Sequence, residues 1–474
     1  MDDILSASAR AFRDARTHEL ARTLAFSNIL CLGRHTITAT LATCGRQHVD
    51  WSSVFRLFEQ ERIDSVSLFA PIREAITSQL PAGRPITVVM DDTLLPKRGK
   101  SIAATKWNHD AQGPPFAHQI IWSQRVVQIS AISLADTVTP SAARAIPLDT
   151  ILLFQPCKPG KKAGPQAMEH YNEQRKANTA NAVGRQHVGK LRAQLDKEGH
   201  GDRPLHVVID GGYTNRNVLC PAQENIVFIG RIRKDAKIHA PAELEGPRRG
   251  RPRKYGAPLA RPGELLADKS VPWRSVEVFA ASRVRTFKVK THDRCCWPSG
   301  TQGQHVRIIV VQPLEPLHDK ANKRRLYFTH PGYIVCTDPE LDIATVLQAY
   351  IHRWEIEVGF REQKTTLGMG QAQTRTPKAC SGIIRFQSYC YAILLLAGHA
   401  AHITVPPRPK WQKQNTNNTR RVTTGELIAI VRSEMWGKAM GIENFEDFAR
   451  KRPQEAKPPK IEHALIDAIL CARN

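Results

Sequence analysis

The chain has 474 residues, a formal net charge of +24 and a pI near 9.9, so its electrostatic field attracts polyanions such as nucleic acids. The hydrophobic content of 41% is enough to build folded cores, and the length allows two to four domains. The ten cysteines form no C-x2-C pair, no N-terminal segment resembles a signal peptide, and the longest apolar run, 391–397, is too short to span a bilayer. We therefore expect a soluble cytoplasmic protein with free thiols, although this composition also fits a ribosomal factor or a protein of the membrane surface.

Residues 1–80 are predicted to form a helical domain. Apolar residues recur at spacings of three and four in 6–30 and in 51–61. Between these segments, GRHTITATLATCG (33–45) has the small residues and turn residues typical of a helix-turn-helix neighbourhood. Two interpretations stay open, a DNA-binding domain and a helical bundle that packs on the rest of the protein.

Two short apolar runs are followed by acidic residues. ITVVM (86–90) precedes the acids at 91 and 92, and LHVVI (205–209) precedes Asp210 in the sequence DGGY. Such runs predict interior strands, with the acids where the sheet opens to solvent. Because successive strand residues point to opposite faces, Asp91 and Asp92 cannot both aim at one metal ion unless the strand breaks there. Taken singly, each acid also fits an ordinary turn residue.

Residues 81–237 are predicted to follow the order strand, strand, strand, helix, strand, helix, strand, which is the order of an RNase H-like α/β core. Beyond the two acid-bearing strands, we expect strands at 119–121, 126–133 and 226–232 and a long basic helix at 177–197.

Three cations closely follow the first acids. Lys97, Arg98 and Lys100 are near enough to contact phosphates on either side of a bond cleaved there. A solvated basic loop is the alternative.

Residues 238–340 are predicted to be a β-rich insertion, with strand-like pieces at 276–280, 285–290 and 305–312. Within it, RRGRPRKYG (248–256) resembles the AT-hook, whose arginines enter a narrow minor groove. By that resemblance Arg249, Arg251 and Arg253 are DNA-binding candidates, and a solvated basic loop fits equally well. The tryptophans at 273 and 297 either stack on a base or pack in a core, and the second role is favoured.

The segment YIHRWEIEVGFREQK (350–364) places Tyr350, Arg353, Glu357 and Lys364 on one face if it forms a single helix. One carboxylate with two cations and a phenol suits a surface that binds a metal ion beside a phosphodiester. An amphipathic helix with ordinary ion pairs is the alternative. The pattern resembles the Y-x2-R-x3-E-x6-K signature of a large class of bacterial insertion-sequence DDE transposases.

That resemblance implies a site and a reaction. In this class the first acid precedes a threonine and the second opens a D-x-x-Y motif, which match Asp92 and Asp210. The resemblance implies that these two acids and Glu357 bind two Mg²⁺ ions, with Mn²⁺ as a possible substitute. It further implies that Arg353 and Lys364 orient DNA through phosphates beside Tyr350.

The implied organisation is an RNase H-like core (81–237 and 341–400) interrupted by the β-rich insertion (238–340). The helical domain (1–80) would bind the element's terminal inverted repeats, and the last part (401–474) would be a basic linker and a helical tail. A homodimer on DNA, near the bacterial nucleoid, is implied too. Two further functions stay open: a transposase-derived DNA-binding protein that no longer cuts, and an RNase H-like nuclease that does not join strands.

Overall fold

The computed structural model describes residues 1–110, 113, 116, 118–133, 143–242, 254–281, 283–314, 328–400 and 422–439. The AT-hook candidates Arg249, Arg251 and Arg253 and the linker at 406–421 lie outside the described residues. Besides a 3-10 helix at Ser8–Ala11, the described helices are α1 (Asp2–Ala7), α2 (Ala15–Leu30), α3 (Ile37–Thr43), α4 (Ser52–Glu59), α5 (Ser65–Leu68), α6 (Ala70–Ser78), α7 (Pro165–Ala177), α8 (Ala180–Lys197), α9 (Arg216–Leu219), α10 (Pro262–Ala267), α11 (Pro298–Thr301), α12 (Ile343–His352), α13 (Trp354–Thr365), α14 (Pro377–Ala400) and α15 (Thr424–Ala439).

A mixed β-sheet runs through the described part of the chain and contains 12 strands. Its strands are β1 (Ile86–Pro96), β2 (Lys106–His109), β3 (Ile120–Ser133), β4 (Arg144–Leu152), β5 (Leu205–Ile209), β6 (Ile226–Arg231), β7 (Ile238–His239), β8 (Pro258–Leu259), β9 (Arg274–Ala280), β10 (Arg283–Cys296), β11 (His305–Val311) and β12 (Gly332–Cys336). The partial order β4-β3-β1-β5-β6, with antiparallel pairs on the β3 side of β1 and parallel pairs on the β5 side, is consistent with an RNase H-like nuclease fold.

The central strand β1 is longer than the sequence predicted. Its parallel pairing with β5 ends at Met90 and Ile209, but its antiparallel pairing with β3 continues to Pro96. The expectation that the strand ends before Asp91 is therefore wrong. The unbroken run of apolar residues ends at Met90, where the pairing with β5 also ends, and the ribbon of β1 and β3 continues with partly exposed residues at 91–94 before the buried Leu95.

Three elements near β1 differ from the prediction. The predicted strands at 119–121 and 126–133 form one strand, β3, and its partner β4 was missed. Proline normally argues against a strand interior, and β4 contains Pro147. The pairing of β3 with β4 shifts register between Ile129 and Ser130, where Pro147 is accommodated. The predicted helix at 177–197 begins only at α8, which Thr179 caps by accepting a hydrogen bond from the Ala182 N–H.

Alternation along β1 divides its side chains between two hydrophobic clusters. Val88 and Met90 join the cluster that includes residues of the N-terminal helices, α8 and α14. Val89 joins the second cluster, together with Ile356 and Phe360 of α13. The next two positions follow the same alternation, so Asp91 faces α13 and Asp92 faces the opposite side.

The strands of the predicted insertion continue the central sheet. The pieces expected at 276–280, 285–290 and 305–312 lie in β9, β10 and β11, and β12 pairs with β6 from Ile334–Arg231 to Cys336–Ile229. This pairing joins residues after position 237 to the strand that follows Asp210.

Helix α14 lies in the core. By length and composition alone, residues 377–399 could cross a membrane, which corrects the expectation that no segment is long enough. However, 83% of the apolar window is buried inside the protein, as is usual for the core helix of a soluble protein. Residues of α2, α4 and α14 share one hydrophobic cluster, which is the packing expected of a helical bundle resting on the core.

Candidate active site

The signature segment forms two helices instead of one. Helix α12 ends at His352 and α13 begins at Trp354, with Arg353 between them in helical conformation (φ −51°, ψ −36°). The Arg353 N–H donates to the Tyr350 carbonyl at 3.2 Å, and the Ile356 N–H donates to the Arg353 carbonyl at 3.2 Å. These bonds span three residues, as in a 3-10 turn, so the helix tightens at the arginine. Tyr350 consequently lies on α12, and Glu357 and Lys364 lie on α13.

Arg353 bridges two carboxylates. Its Nη2 lies 2.8 Å from Glu357 Oε1, and its Nη1 lies 3.4 Å from Asp91 Oδ2. The Arg353 side chain is 15% exposed and the Asp91 side chain 17%, so both are largely shielded from water. The carboxylate that faces the Glu357 helix is thus that of Asp91.

Asp91 also lies close to Asp210. The two acids directly follow Met90 and Ile209, which are paired neighbours on parallel strands. Burial, and secondly the charge of Asp210, raise the pKa of Asp91 to about 7. Two nearby carboxylates repel each other, so the pocket favours a compensating cation.

A tight turn holds Asp210. Its Oδ1 accepts hydrogen bonds from the backbone N–H of Gly212 at 2.8 Å and of Tyr213 at 3.1 Å. The Thr214 hydroxyl donates to the Asp210 carbonyl at 2.7 Å. The two bonds to Oδ1, both from residues of the D-x-x-Y motif, hold the carboxylate in one orientation, and the Thr214 bond holds the backbone of the turn.

Asp92 has different partners on the other face of β1. Arg125 on β3 binds it through two nitrogens, Nε to Oδ2 at 2.6 Å and Nη2 to Oδ1 at 2.9 Å. The Tyr213 hydroxyl donates to the same Oδ1 at 2.7 Å. Among the described contacts, none joins Asp92 to Glu357.

The two remaining signature residues border the pocket. Burial raises the pKa of the Tyr350 phenol, which lies near enough to Arg353 and Asp210 to sense their charges. Lys364 Nζ donates to Thr93 Oγ1 at 3.0 Å, and burial lowers the pKa of its ammonium. Thr93 is two residues after Asp91, so both side chains point to the same face of β1. Lys364, which contacts Thr93, therefore lies on that face.

The three cations after the first acids have unequal environments. Lys97 is buried, and its Nζ donates to the carbonyls of Gly370 at 2.5 Å and Ala372 at 2.7 Å. Burial lowers its pKa to about 8. These contacts favour a role in holding the loop after α13 over the expected phosphate contact. Arg98 and Lys100 are exposed.

The tryptophans of the insertion have internal contacts. Trp297 is 7% exposed, in agreement with core packing. The Lys290 ammonium lies 4.4 Å from the ring centroid of Trp273, at cation–π distance.

Two basic residues of the site were not singled out as site residues from the sequence. Arg125 interrupts the apolar run IIWSQRVVQIS, and a single charge inside a buried strand is the signal that marks it. Arg231 ends β6, is exposed, and its backbone oxygen and side chain approach Gly211 beside Asp210.

The donor set is compatible with a divalent cation, although no metal cluster is formed as the side chains stand. Within the described residues, no three His, Cys, Asp or Glu side chains are grouped to hold an ion. Arg353 instead lies between Asp91 and Glu357, where its positive charge offsets part of their negative charge. The adjacent carboxylates are hard oxygen ligands of the kind that Mg²⁺ and Mn²⁺ prefer.

A comparison with protein-family profiles identifies the family of the chain. The sequence profile of the DDE superfamily endonucleases matches residues 9–304, more than half of the chain. The matched range includes Asp91, Asp92 and Asp210 and ends before Glu357. A comparison with curated proteins gave no match. Enzymes of this superfamily use divalent metals and act on DNA. On the strength of the profile match, this chain is a member of the DDE superfamily of endonucleases.

Proposed function

We propose that the protein is a DDE transposase of the cut-and-paste insertion-sequence kind, which cleaves DNA at the ends of its element and joins them to target DNA. The observation that carries this proposal is that Asp91 lies beside Asp210 and is linked to Glu357 through Arg353, on one face of the central sheet. The alternative reading, a cluster of ordinary ion pairs, leaves unexplained why a carboxylate with a raised pKa is kept beside another acid.

We assign the first acid to Asp91 instead of the sequence-based choice, Asp92. The support is the alternation along β1, which turns Asp91 toward α13, and the engagement of Asp92 by Arg125 and Tyr213 on the other side. The threonine of the signature is then two residues after the acid, at Thr93, where it contacts Lys364.

In this proposal Asp91, Asp210 and Glu357 hold two Mg²⁺ ions, which Mn²⁺ can replace. When bound, such ions polarise the scissile phosphate and stabilise charge on the leaving oxygen. Arg353 and Lys364 bind phosphate oxygens and orient the strand, and Tyr350 packs beside it. Arg98 and Lys100 contact the flanking backbone, and Arg249, Arg251 and Arg253 enter a minor groove.

The proposed partners are the terminal inverted repeats of the element and a target duplex. We further propose that the N-terminal helices recognise the repeats and that two copies of the chain hold both ends on DNA, in the cytoplasm near the nucleoid. The net charge of +24 supports binding of the DNA backbone.

The test is a cleavage and joining assay. The protein is incubated with Mg²⁺ and a duplex that carries the inverted repeats found at the borders of its gene, and products are resolved on a denaturing gel. Cut and joined products are expected. Binding without cleavage would instead indicate a transposase-derived DNA-binding protein, and cutting without joining a nuclease.

Arg353→Ala is expected to weaken DNA binding in a salt-dependent way. Removing one phosphate contact should lower the slope of log K against log salt concentration by about 0.9. The measurement is fluorescence anisotropy with one duplex over several salt concentrations, at one fixed Mg²⁺ concentration so that the ions, and not Arg353, neutralise the acids. Lys378→Ala is the matched control, since this exposed lysine of α14 pairs with Glu61 and lies away from the pocket. An Arg353→Ala slope equal to that of wild type would exclude the phosphate contact.

A further inference from the structure

We propose that Asp92 is a positioning residue, and that Arg125, Asp92 and Tyr213 form a clamp that fixes the Asp210 turn against β1. We name these three residues the Asp92 clamp. The inference rests on the proposed function, because it assigns a role around the same acids. In this inference Asp92 does not contact the reacting phosphate; it acts only by holding the turn that carries Asp210.

The contacts of the Asp92 clamp connect β3, through β1, to the turn that holds Asp210. Arg125 on β3 holds both oxygens of Asp92 on β1, at 2.6 and 2.9 Å. Asp92 Oδ1 accepts the Tyr213 hydroxyl at 2.7 Å. Tyr213 ends the turn whose N–H groups hold Asp210. A restraint on β3 is thereby transmitted to a carboxylate on the opposite face of the sheet.

Burial makes this path rigid. Tyr213 is 3% exposed, and its ring lies near Gly184, where an added Cβ would approach the ring carbon Cε1 to 3.5 Å. The Asp92 side chain is 14% exposed. A two-nitrogen pair between arginine and a carboxylate has a defined geometry, so the acceptor offered to Tyr213 cannot rotate freely.

The turn needs such an anchor because the parallel strand ends just before it. Beyond Ile209, β5 has no further pairs with β1, so the ladder itself does not place Asp210. The distance between Asp210 and Asp91 must nevertheless be controlled if the two share a cation. Residues that orient metal ligands in this way typically change metal affinity by about 10- to 100-fold when they are altered.

The test is the affinity of the DNA-free protein for Mn²⁺, read from the electron paramagnetic resonance signal of the free ion. Tyr213→Phe keeps the buried ring and removes only the hydroxyl. We expect its Mn²⁺ affinity to fall by about 10-fold or more, with kcat for cleavage reduced and KM for DNA unchanged. A purely structural hydrogen bond would lower the melting temperature without moving the metal affinity.

The matched control is Tyr389→Phe. Tyr389 on α14 is also buried and also donates one hydrogen bond, to Ser8 Oγ at 2.8 Å, far from the acids in the N-terminal interface. This variant should lose similar stability and keep the wild-type Mn²⁺ affinity.

A double variant checks that the effect passes through Asp92. Arg125→Lys keeps the charge and loses the two-nitrogen geometry, and its 39% exposed side chain makes loss of the fold a small risk. Combined with Tyr213→Phe, it should weaken Mn²⁺ binding by less than the product of the single effects, because both act on one carboxylate. Wild-type affinity in both single variants, or strictly multiplicative losses, would overturn the clamp. If the wild-type protein binds no Mn²⁺ either alone or with a duplex that carries the element's ends, the proposed function fails instead.

Discussion

Glu357→Gln is expected to reduce DNA cleavage by on the order of 10³-fold while DNA affinity stays close to that of wild type. Glutamine has nearly the shape of glutamate, and its amide oxygen can still accept the Arg353 Nη2 hydrogen bond now made at 2.8 Å. The change removes one negative charge from the proposed metal ligands. The measurement pairs single-turnover cleavage in Mg²⁺ with anisotropy on the same duplex.

Glu355→Gln is the control for this experiment. The residue belongs to the same helix, but two helical positions turn its side chain by about 200° away from that of Glu357. Normal cleavage by Glu355→Gln with none by Glu357→Gln assigns the loss to the pocket. A Glu357→Gln protein that cuts at the wild-type rate would remove Glu357 from the site.

Asp91→Asn is expected to abolish cleavage and, at the same time, to stabilise the metal-free protein above neutral pH. The pKa of Asp91 is about 7 in the fold, against the ordinary value of 3.8. The folded state therefore binds more protons than the unfolded state between these values, and stability falls as pH rises from about 4 through about 7. Replacing the acid by a neutral side chain removes a penalty of up to about 4 kcal/mol.

Urea unfolding in EDTA at pH 5 and pH 8 measures this effect. The gain in unfolding free energy of Asp91→Asn over wild type should be larger at pH 8 than at pH 5. Asp92→Asn is the informative comparison, since it removes the carboxylate held by Arg125 and should destabilise the protein at both pH values. If Asp92→Asn were the stabilising change and Asp91→Asn the destabilising one, the assignment of the two acids would be reversed.

The sequence predicted local features well where one interaction dominates. The run LHVVI is buried on both faces, and the strand found there has the predicted bounds. The acid after it and the signature residues remain site predictions; Glu357 and Lys364 do share one helix, α13, whereas Tyr350 lies on α12. Membership in the DDE superfamily agrees with that part of the interpretation.

Other features depend on partners that are distant along the chain. Whether β1 ends at Met90 or continues to Pro96 is decided by β3, whose residues begin two dozen positions later. The orientation of Asp91 and Asp92 depends on which helix covers each face, and α13 is more than 250 residues away. Lys97 looks like a surface cation in sequence, yet two carbonyls of the loop after α13 enclose it.

The position of Arg353 between Asp91 and Glu357 has a consequence for the proposed function. One guanidinium cannot neutralise these acids and also bind a phosphate with the same nitrogens, so we expect cation uptake and DNA binding at the site to favour each other by thermodynamic reciprocity. Under that proposal, a copy of the protein without DNA keeps its own arginine as an internal counterion. We expect such a copy to hydrolyse DNA nonspecifically only slowly, because the arginine must leave the acids before cations occupy them.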